Sequence, residues 1–229
     1  MYSQDHNASP INPIPAVIVV IAVVVAGIEL VFQGGEHGLI GGPQAISWRL
    51  EAMTYFGFLD PVFEHMRSTG DIQLEFLMRF ITYPFIHFSL VHALFGVVLF
   101  LALGNFVGRA FPMTSVLAIF VIASFFGAIS YGLFNETRVP LIGLYPAVYG
   151  LIGMYTWVLW MTARAKGENP IMAFRLIGVL VVLQLVFFAM SGQGNDLPSD
   201  GAGFLTGFIL APVLVKGGMS RLRNRLKGS

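Results

Sequence analysis

The sequence predicts an all-α membrane protein, a bundle of six membrane-spanning helices with a long loop after the first. Three observations lead there. Of the 229 residues, 56% are hydrophobic and only 11% are charged, whereas soluble domains carry about 25% charged residues. Mean hydropathy is +0.77. The apolar residues also fall into six stretches, each close to the roughly 20 residues a helix needs to cross a bilayer. There is no cysteine, which excludes disulfides, thiolate nucleophiles and cysteine metal sites.

The first stretch, 14–32, is rich in Val and Ile, and no Lys or Arg precedes it. A secretory signal normally carries positive charge there, so the run is expected to stay as a span behind a short segment, 1–13. The second stretch, 82–103, carries His87 and His92. The third is Met113–Phe134, the fourth 145–162 and the fifth 171–190; the sixth, 201–215, is short and glycine-rich. Residues 1–229 read as one membrane domain. The loop 33–81 interleaves Trp48, Met53, Tyr55, Phe56, Phe58 and Leu59 with acidic residues. That pattern suits helices lying at the membrane interface, with the aromatics at headgroup depth.

Basic residues set the expected orientation. With six spans both termini share one side, which collects Arg109, Arg164, Lys166, Arg175, Lys216, Arg221, Arg223, Arg225 and Lys227. The other side holds Arg49, Arg67, Arg79 and Arg138. Nine against four puts both termini in the cytoplasm, and loop 33–81, the turn 135–137 and the loop at 195–196 on the periplasm-like side. The basic tail, 216–229, marks topology and can attract anionic lipid headgroups, at about 1 kcal/mol per basic residue.

Twelve residues carry the most specific signal: Leu141-Ile142-Gly143-Leu144-Tyr145-Pro146-Ala147-Val148-Tyr149-Gly150-Leu151-Ile152. This stretch resembles the Gly-x-Ser-Gly-Ala-x-x-Gly-Leu of rhomboid intramembrane proteases. The likeness runs from about residue 75 to 207. Met78-Arg79 stands where the family often has Trp-Arg. His87-Phe88-Ser89-Leu90-Val91-His92-Ala93-Leu94-Phe95-Gly96 matches His-x-x-x-x-His-x-x-x-Asn. Gly104-Asn105 ends the second span, and Gly203-Phe204-Leu205-Thr206-Gly207 matches the Gly-Phe-x-x-Gly of the sixth.

The resemblance implies four chemical positions. In active relatives a serine at the start of the fourth span is activated by a histidine in the sixth, because a free hydroxyl is a weak nucleophile. Second-span His and Asn side chains stabilise the oxyanion. Here the serine position is Tyr145, the histidine position Asp200 and the asparagine position Gly96; His92 alone is kept. An aspartate, with an ordinary pKa near 3.9, is a poor base for a hydroxyl. The implied protein is a catalytically inactive rhomboid-like protein that binds or stabilises other transmembrane helices, through a gap between its second and fifth spans. Two alternatives stand beside it: an intramembrane serine-type endopeptidase with a non-standard site, and an accessory subunit of a larger membrane complex.

Other residues offer little chemistry. Ser89, Ser124 and Ser130 lie in or near spans, where serine usually bonds the backbone or packs helices. His6 precedes the first span, and His37 and His65 fall in the long loop. No span carries metal-ligand spacing and no phosphate loop is present, so no cofactor, metal or nucleic acid is expected; the expected partners are membrane lipids and transmembrane segments. Gly143, Ala147, Gly150, Gly203 and Gly207 recur at helical spacing as small helix-packing residues. Tyr145 and Asp200 are expected to meet in a hydrogen bond or through water, with Asp200 also readable as a cap of the sixth helix. His92 reads as a buried polar residue bonded to a loop, or as the lining of a wet cavity. The expected location is a bacterial inner membrane.

Overall fold

A computed structural model describes residues 14–135, 137–191, 196–218 and 220, with the backbone alone at 187–191. The segment 1–13, Glu136, Asn195 and the tail beyond Ser220 lie outside the described residues. Among those described, nine α-helices follow in order: α1 (Ala16–Glu36), α2 (Trp48–Phe56), α3 (Asp60–Thr69), α4 (Leu74–Thr82), α5 (Leu90–Ala110), α6 (Met113–Phe134), α7 (Tyr145–Lys166), α8 (Arg175–Ser191) and α9 (Leu197–Leu214). Three 3-10 turns, Pro43–Ser47, Tyr83–Phe85 and Pro170–Phe174, join them.

Four of these helices, α1, α5, α6 and α9, are long and apolar enough to cross a membrane. The apolar stretch Pro170–Val186, which includes most of α8, is shorter. Helix α7 has 22 residues and differs in kind. Its first half is buried on every side, from Pro146 through Met154, whereas α1 and α5 expose rows of large apolar side chains such as Val20, Val23, Val91 and Phe95. Those exposed rows suit lipid. An inner helix has no lipid to meet, so it tolerates tyrosine and glycine.

The centre of the bundle is the crossing of α7 with α9, the most extensively packed helix pair among the described residues. It is a backbone-to-backbone contact. A Cβ on Gly207 would stand 2.7 Å from the carbonyl carbon of Gly150, and one on Gly203 would stand 2.9 Å from that of Pro146. A Cβ on Gly150 would reach 2.7 Å from the methyl of Ala123 on α6. Ala147 is fully buried in the same layer.

Several boundaries differ from the sequence expectation. The second span begins at Leu90 rather than at 82. Pro84 sits in the 3-10 turn after α4, and the Ser89 Oγ then caps α5 by accepting from the His92 N–H at 3.2 Å. His87 is therefore in the connection before the helix, not in a span. The sixth helix begins at Leu197, four residues earlier than expected, because Pro198 fits the first helical turn. The long loop folds as α2, α3 and α4. Arg79 on α4 holds it down, donating from Nη1 to the carbonyls of Thr54 and Gly57, each at 2.7 Å, at the end of α2.

Candidate functional site

The turn into α7 is pinned on three sides. Leu141 and Phe58 exchange backbone hydrogen bonds at 2.8 and 3.1 Å. The Gly143 N–H donates to the Tyr83 carbonyl at 3.0 Å. Gly143 has φ +99°, and a Cβ there would lie 2.9 Å from His92 Cε1. The left-handed backbone and the imidazole together require glycine. This corrects one expectation: Gly143 is a turn residue packed under His92, not a helix-packing residue.

Tyr145 is the first residue of α7. Its ring stacks on His92, centroids 4.7 Å apart and planes at 14°, and its hydroxyl donates to the His92 carbonyl at 3.2 Å. His92 Nδ1 accepts from the Phe88 N–H at 3.3 Å, so the imidazole is bonded to the connection before α5. Gly96, one turn on, leaves room that a neighbouring ring fills: a Cβ on Gly96 would lie 3.3 Å from His87 Nε2. That nitrogen accepts from the Leu144 N–H at 3.4 Å. His87 is 1% exposed. Burial, with His92 5.2 Å away, pushes its imidazole down to about 3.

Asp200 lies in the first turns of α9 and is 1% exposed. Its Oδ2 accepts from Gln184 Nε2 of α8. Its Oδ1 and the Gln184 Oε1 are buried with no hydrogen-bond partner among the described residues. The expected bond between Tyr145 and Asp200 does not form, because the phenol is taken by the His92 carbonyl and the carboxylate by Gln184. Nor does Asp200 cap the helix. The N-cap is Asp196, and Asp200 stands four residues inside, its N–H donating to the Asp196 carbonyl at 2.9 Å.

Of these side chains Tyr145, His92 and Gln184 border a cleft of about 610 Å³. Val91, Phe95 and Leu99 of α5 form one wall, Leu180 and Leu183 of α8 the other, and Tyr145 and Tyr149 the floor. Ser89, His92, Gln184 and Asp196 add polar points to the cleft. Helices α5 and α8 scarcely touch each other. Gln184 was not picked out from the sequence, although a lone amide inside an apolar run is a signal of its own. Glu29 was missed in the same way. It is 4% exposed within α1 and takes both Nη atoms of Arg49, at 2.8 and 2.9 Å. Arg49 also donates from Nε to Glu36 at 2.5 Å and from Nη1 to the His87 carbonyl at 2.9 Å. Among the described residues no group of three His, Asp or Glu side chains is placed to hold a metal ion.

A bundle of apolar helices, four of them long enough to cross a membrane, around the inner helix α7 defines an integral, multi-pass membrane protein. Residues 75–217, more than half of the chain, match the rhomboid domain. The chain belongs to the rhomboid family. It is 27% identical over 137 residues to the rhomboid protease GlpG of Serratia proteamaculans, covering 59% of this chain and 47% of that protein. The rhomboid proteases GlpG of Yersinia pseudotuberculosis and Yersinia pestis are 25% identical over the same length, with the same coverage. The chain thus spans about half the length of the curated relatives it matches.

Proposed function

We propose that this chain is a rhomboid-family protein that holds membrane-spanning segments of other proteins in the cleft between α5 and α8 without cutting them. The observation that carries the reading is the partnering at Tyr145. Its hydroxyl donates to a backbone carbonyl and its ring covers His92, so this hydroxyl does not face a general base, as nucleophilic catalysis requires. Gly96 supplies no side-chain donor for an oxyanion. The lining of the cleft is largely apolar, which suits a helix from the bilayer. Both termini lie in the cytoplasm in this reading, α2 to α4 lie at the opposite interface, and the bacterial relatives point to an inner membrane.

A second reading has one observation in its favour: the relatives are named as proteases. One experiment separates the two. The purified chain in proteoliposomes is treated with a serine-directed fluorophosphonate and, separately, with a reporter carrying a transmembrane segment. The expected result is no labelling and no cleavage, with the reporter still co-sedimenting. The double variant Tyr145→Ser, Asp200→His is expected to stay silent, because Gly96 still lacks a donor. Labelling within α7, or cleavage by the unaltered chain, would overturn the proposal in favour of the protease.

A further inference from the structure

Helix α8 is the least embedded long helix among the described residues. None of its residues 175–186 is buried, whereas α1, α5, α6, α7 and α9 each bury a row of side chains. Its first end is anchored through the turn before it, where Phe174 packs on Phe204 and Phe208 of α9, ring centroids 6.5 and 5.5 Å apart. Further along, Ile177 and Leu180 lean on the core and stay partly exposed. Beyond them, among the described residues, one side-chain hydrogen bond ties residues 175–186 to another helix, from Gln184 Nε2 to Asp200 Oδ2 of α9. Gln184 lines the cleft; Asp200 lies behind it, 1% exposed and outside the lining.

That contact lacks one proton. Gln184 Oε1 and Asp200 Oδ1 are both buried and unpartnered among the described residues, and an ionised carboxyl makes both of them acceptors. Among the described residues no cation acts on Asp200. The charged group that does is Asp196, a second acid on the same helix. The titratable groups around it on the neighbouring elements are the phenols of Tyr83, Tyr145 and Tyr149. A carboxyl buried without a cation takes up a proton rather than keep its charge. We infer that Asp200 is held as the neutral acid and forms a two-bond acid–amide clasp with Gln184, which fixes α8 as the second wall of the cleft. The carboxyl proton goes to Gln184 Oε1 while the Gln184 amide serves the other carboxyl oxygen, so each group donates once and accepts once. The clasp controls the cleft assigned above to helix binding and takes its purpose from that reading. Closed, it holds Leu180, Leu183 and Leu185 at a set width from Val91, Phe95 and Leu99. Broken, it leaves α8 with the anchor near Phe174, and the far half of the helix is free to move from α5.

The chain has no cysteine, so Val91→Cys and Leu183→Cys, on exposed positions of the two cleft walls, place a pair of spin labels in an otherwise unaltered chain. Double electron–electron resonance in proteoliposomes at neutral pH reads the width between α5 and α8. Infrared difference spectra against Asp200→Asn read the carbonyl stretch of a protonated carboxyl. The expected result is a protonated-carboxyl band in the unaltered chain that is lost in Asp200→Asn. The distance is expected to stay unchanged in that variant, since an asparagine donates and accepts as the neutral acid does. Gln184→Leu is expected to lengthen and broaden the distance, and Asp200→Leu, which breaks the clasp from the α9 side, to give the same shift. Absence of the band, or an Asp200→Asn distance displaced as far as that of Gln184→Leu, would refute the neutral acid. An unmoved distance in both leucine variants would refute the clasp. Neither readout uses a client segment, so a chain that binds no segment overturns the proposed function and not the clasp.

Discussion

Replacing Arg49 by methionine tests whether the buried ion network between α1 and the loop anchors the fold. Arg49 donates to both oxygens of Glu29 at 2.8 and 2.9 Å, to Glu36 at 2.5 and 3.3 Å, and to the His87 carbonyl at 2.9 Å. Its guanidinium, held by two carboxylates, has its pKa raised, first of all by the hydrogen bonds it donates to Glu29. Methionine keeps the stem packed on Phe32, whose ring centroid lies 5.1 Å from the guanidinium carbon, but leaves the 4%-exposed Glu29 without a cation. Removing one member of a buried pair costs about 3–5 kcal/mol, less whatever partners the unfolded chain finds in a bilayer, so a loss of about 3 kcal/mol is expected. Glu36 is partly exposed and water can take it over, which places the burden on Glu29. The double variant Arg49→Met, Glu29→Leu removes both charges and is expected to recover all but about 1 kcal/mol. The assay is equilibrium unfolding in mixed detergent micelles, read by circular dichroism on all four members of the double-mutant cycle. A loss under about 1 kcal/mol for the single variant, or additive losses in the double, would refute the network as a coupled unit.

Gly207→Ala is expected to cost about 2 kcal/mol by overpacking, because its methyl would stand 2.7 Å from the Gly150 carbonyl carbon; Gly201→Ala on the same helix meets nothing within 4 Å and is expected to be neutral or stabilising, with thermal unfolding in detergent as the measure for both. Tyr145→Phe removes the hydroxyl bonded to the His92 carbonyl but keeps the stacked ring, and is expected to cost about 1 kcal/mol in the same measurement. Neutral His87 gives a pH dependence. Its imidazole is held down at about 3 by burial, whereas in the unfolded chain it titrates near 6.5. The unfolded state therefore gains a proton first, so stability is full above about pH 6.5 and falls as pH drops toward 3. Between pH 7 and pH 5 the loss is about 2 kcal/mol, and His87→Gln should flatten that slope in unfolding titrations at the two pH values.

The parts of the fold that could be read in advance are those in which one local rule decides the outcome. Met113–Phe134 is an apolar run between Pro112 and Asn135, and α6 occupies the same residues. The start of α9 was hidden because Leu197-Pro198-Ser199 reads as a loop until the proline is given its place in the first helical turn. The entry to α5 was misplaced by the apolar character of residues 82–89, although Ser89 is a legible N-cap once His92 is seen to donate to it. The site itself was legible by position and not by partner. Tyr145, Gly96 and His92 pack about the turn into α7, yet the Tyr145 hydroxyl goes to the His92 carbonyl and the Asp200 carboxyl to Gln184 of α8. Gln184 and Asp200 are 16 residues apart, and Arg49 and Glu29 are 20 apart. A lone polar residue in an apolar run announces that a partner exists, but choosing among partners at that separation needs the tertiary fold.

The glycine frame is set by backbone contacts and turn geometry rather than by the side chain at position 145. Gly150, Gly203 and Gly207 are needed because two helix backbones pass within a methyl's width of each other, and that contact holds whatever side chain begins α7. Gly143 is needed because its φ of +99° turns the chain under His92, a backbone requirement that stands apart from the Tyr145 hydroxyl. What does respond to position 145 is the space between His92 and the cleft, and a stacked phenol fills it with one hydrogen bond to a backbone carbonyl. The same separation holds on α9: the Asp200 carboxyl takes an amide partner on α8 while Gly203, three residues on, keeps α9 against Pro146. Packing and chemistry are thus carried by different atoms of the same short motif. The packing at Gly150, Gly203 and Gly207 is therefore set by backbone approach and not by the side chains at positions 96, 145 and 200.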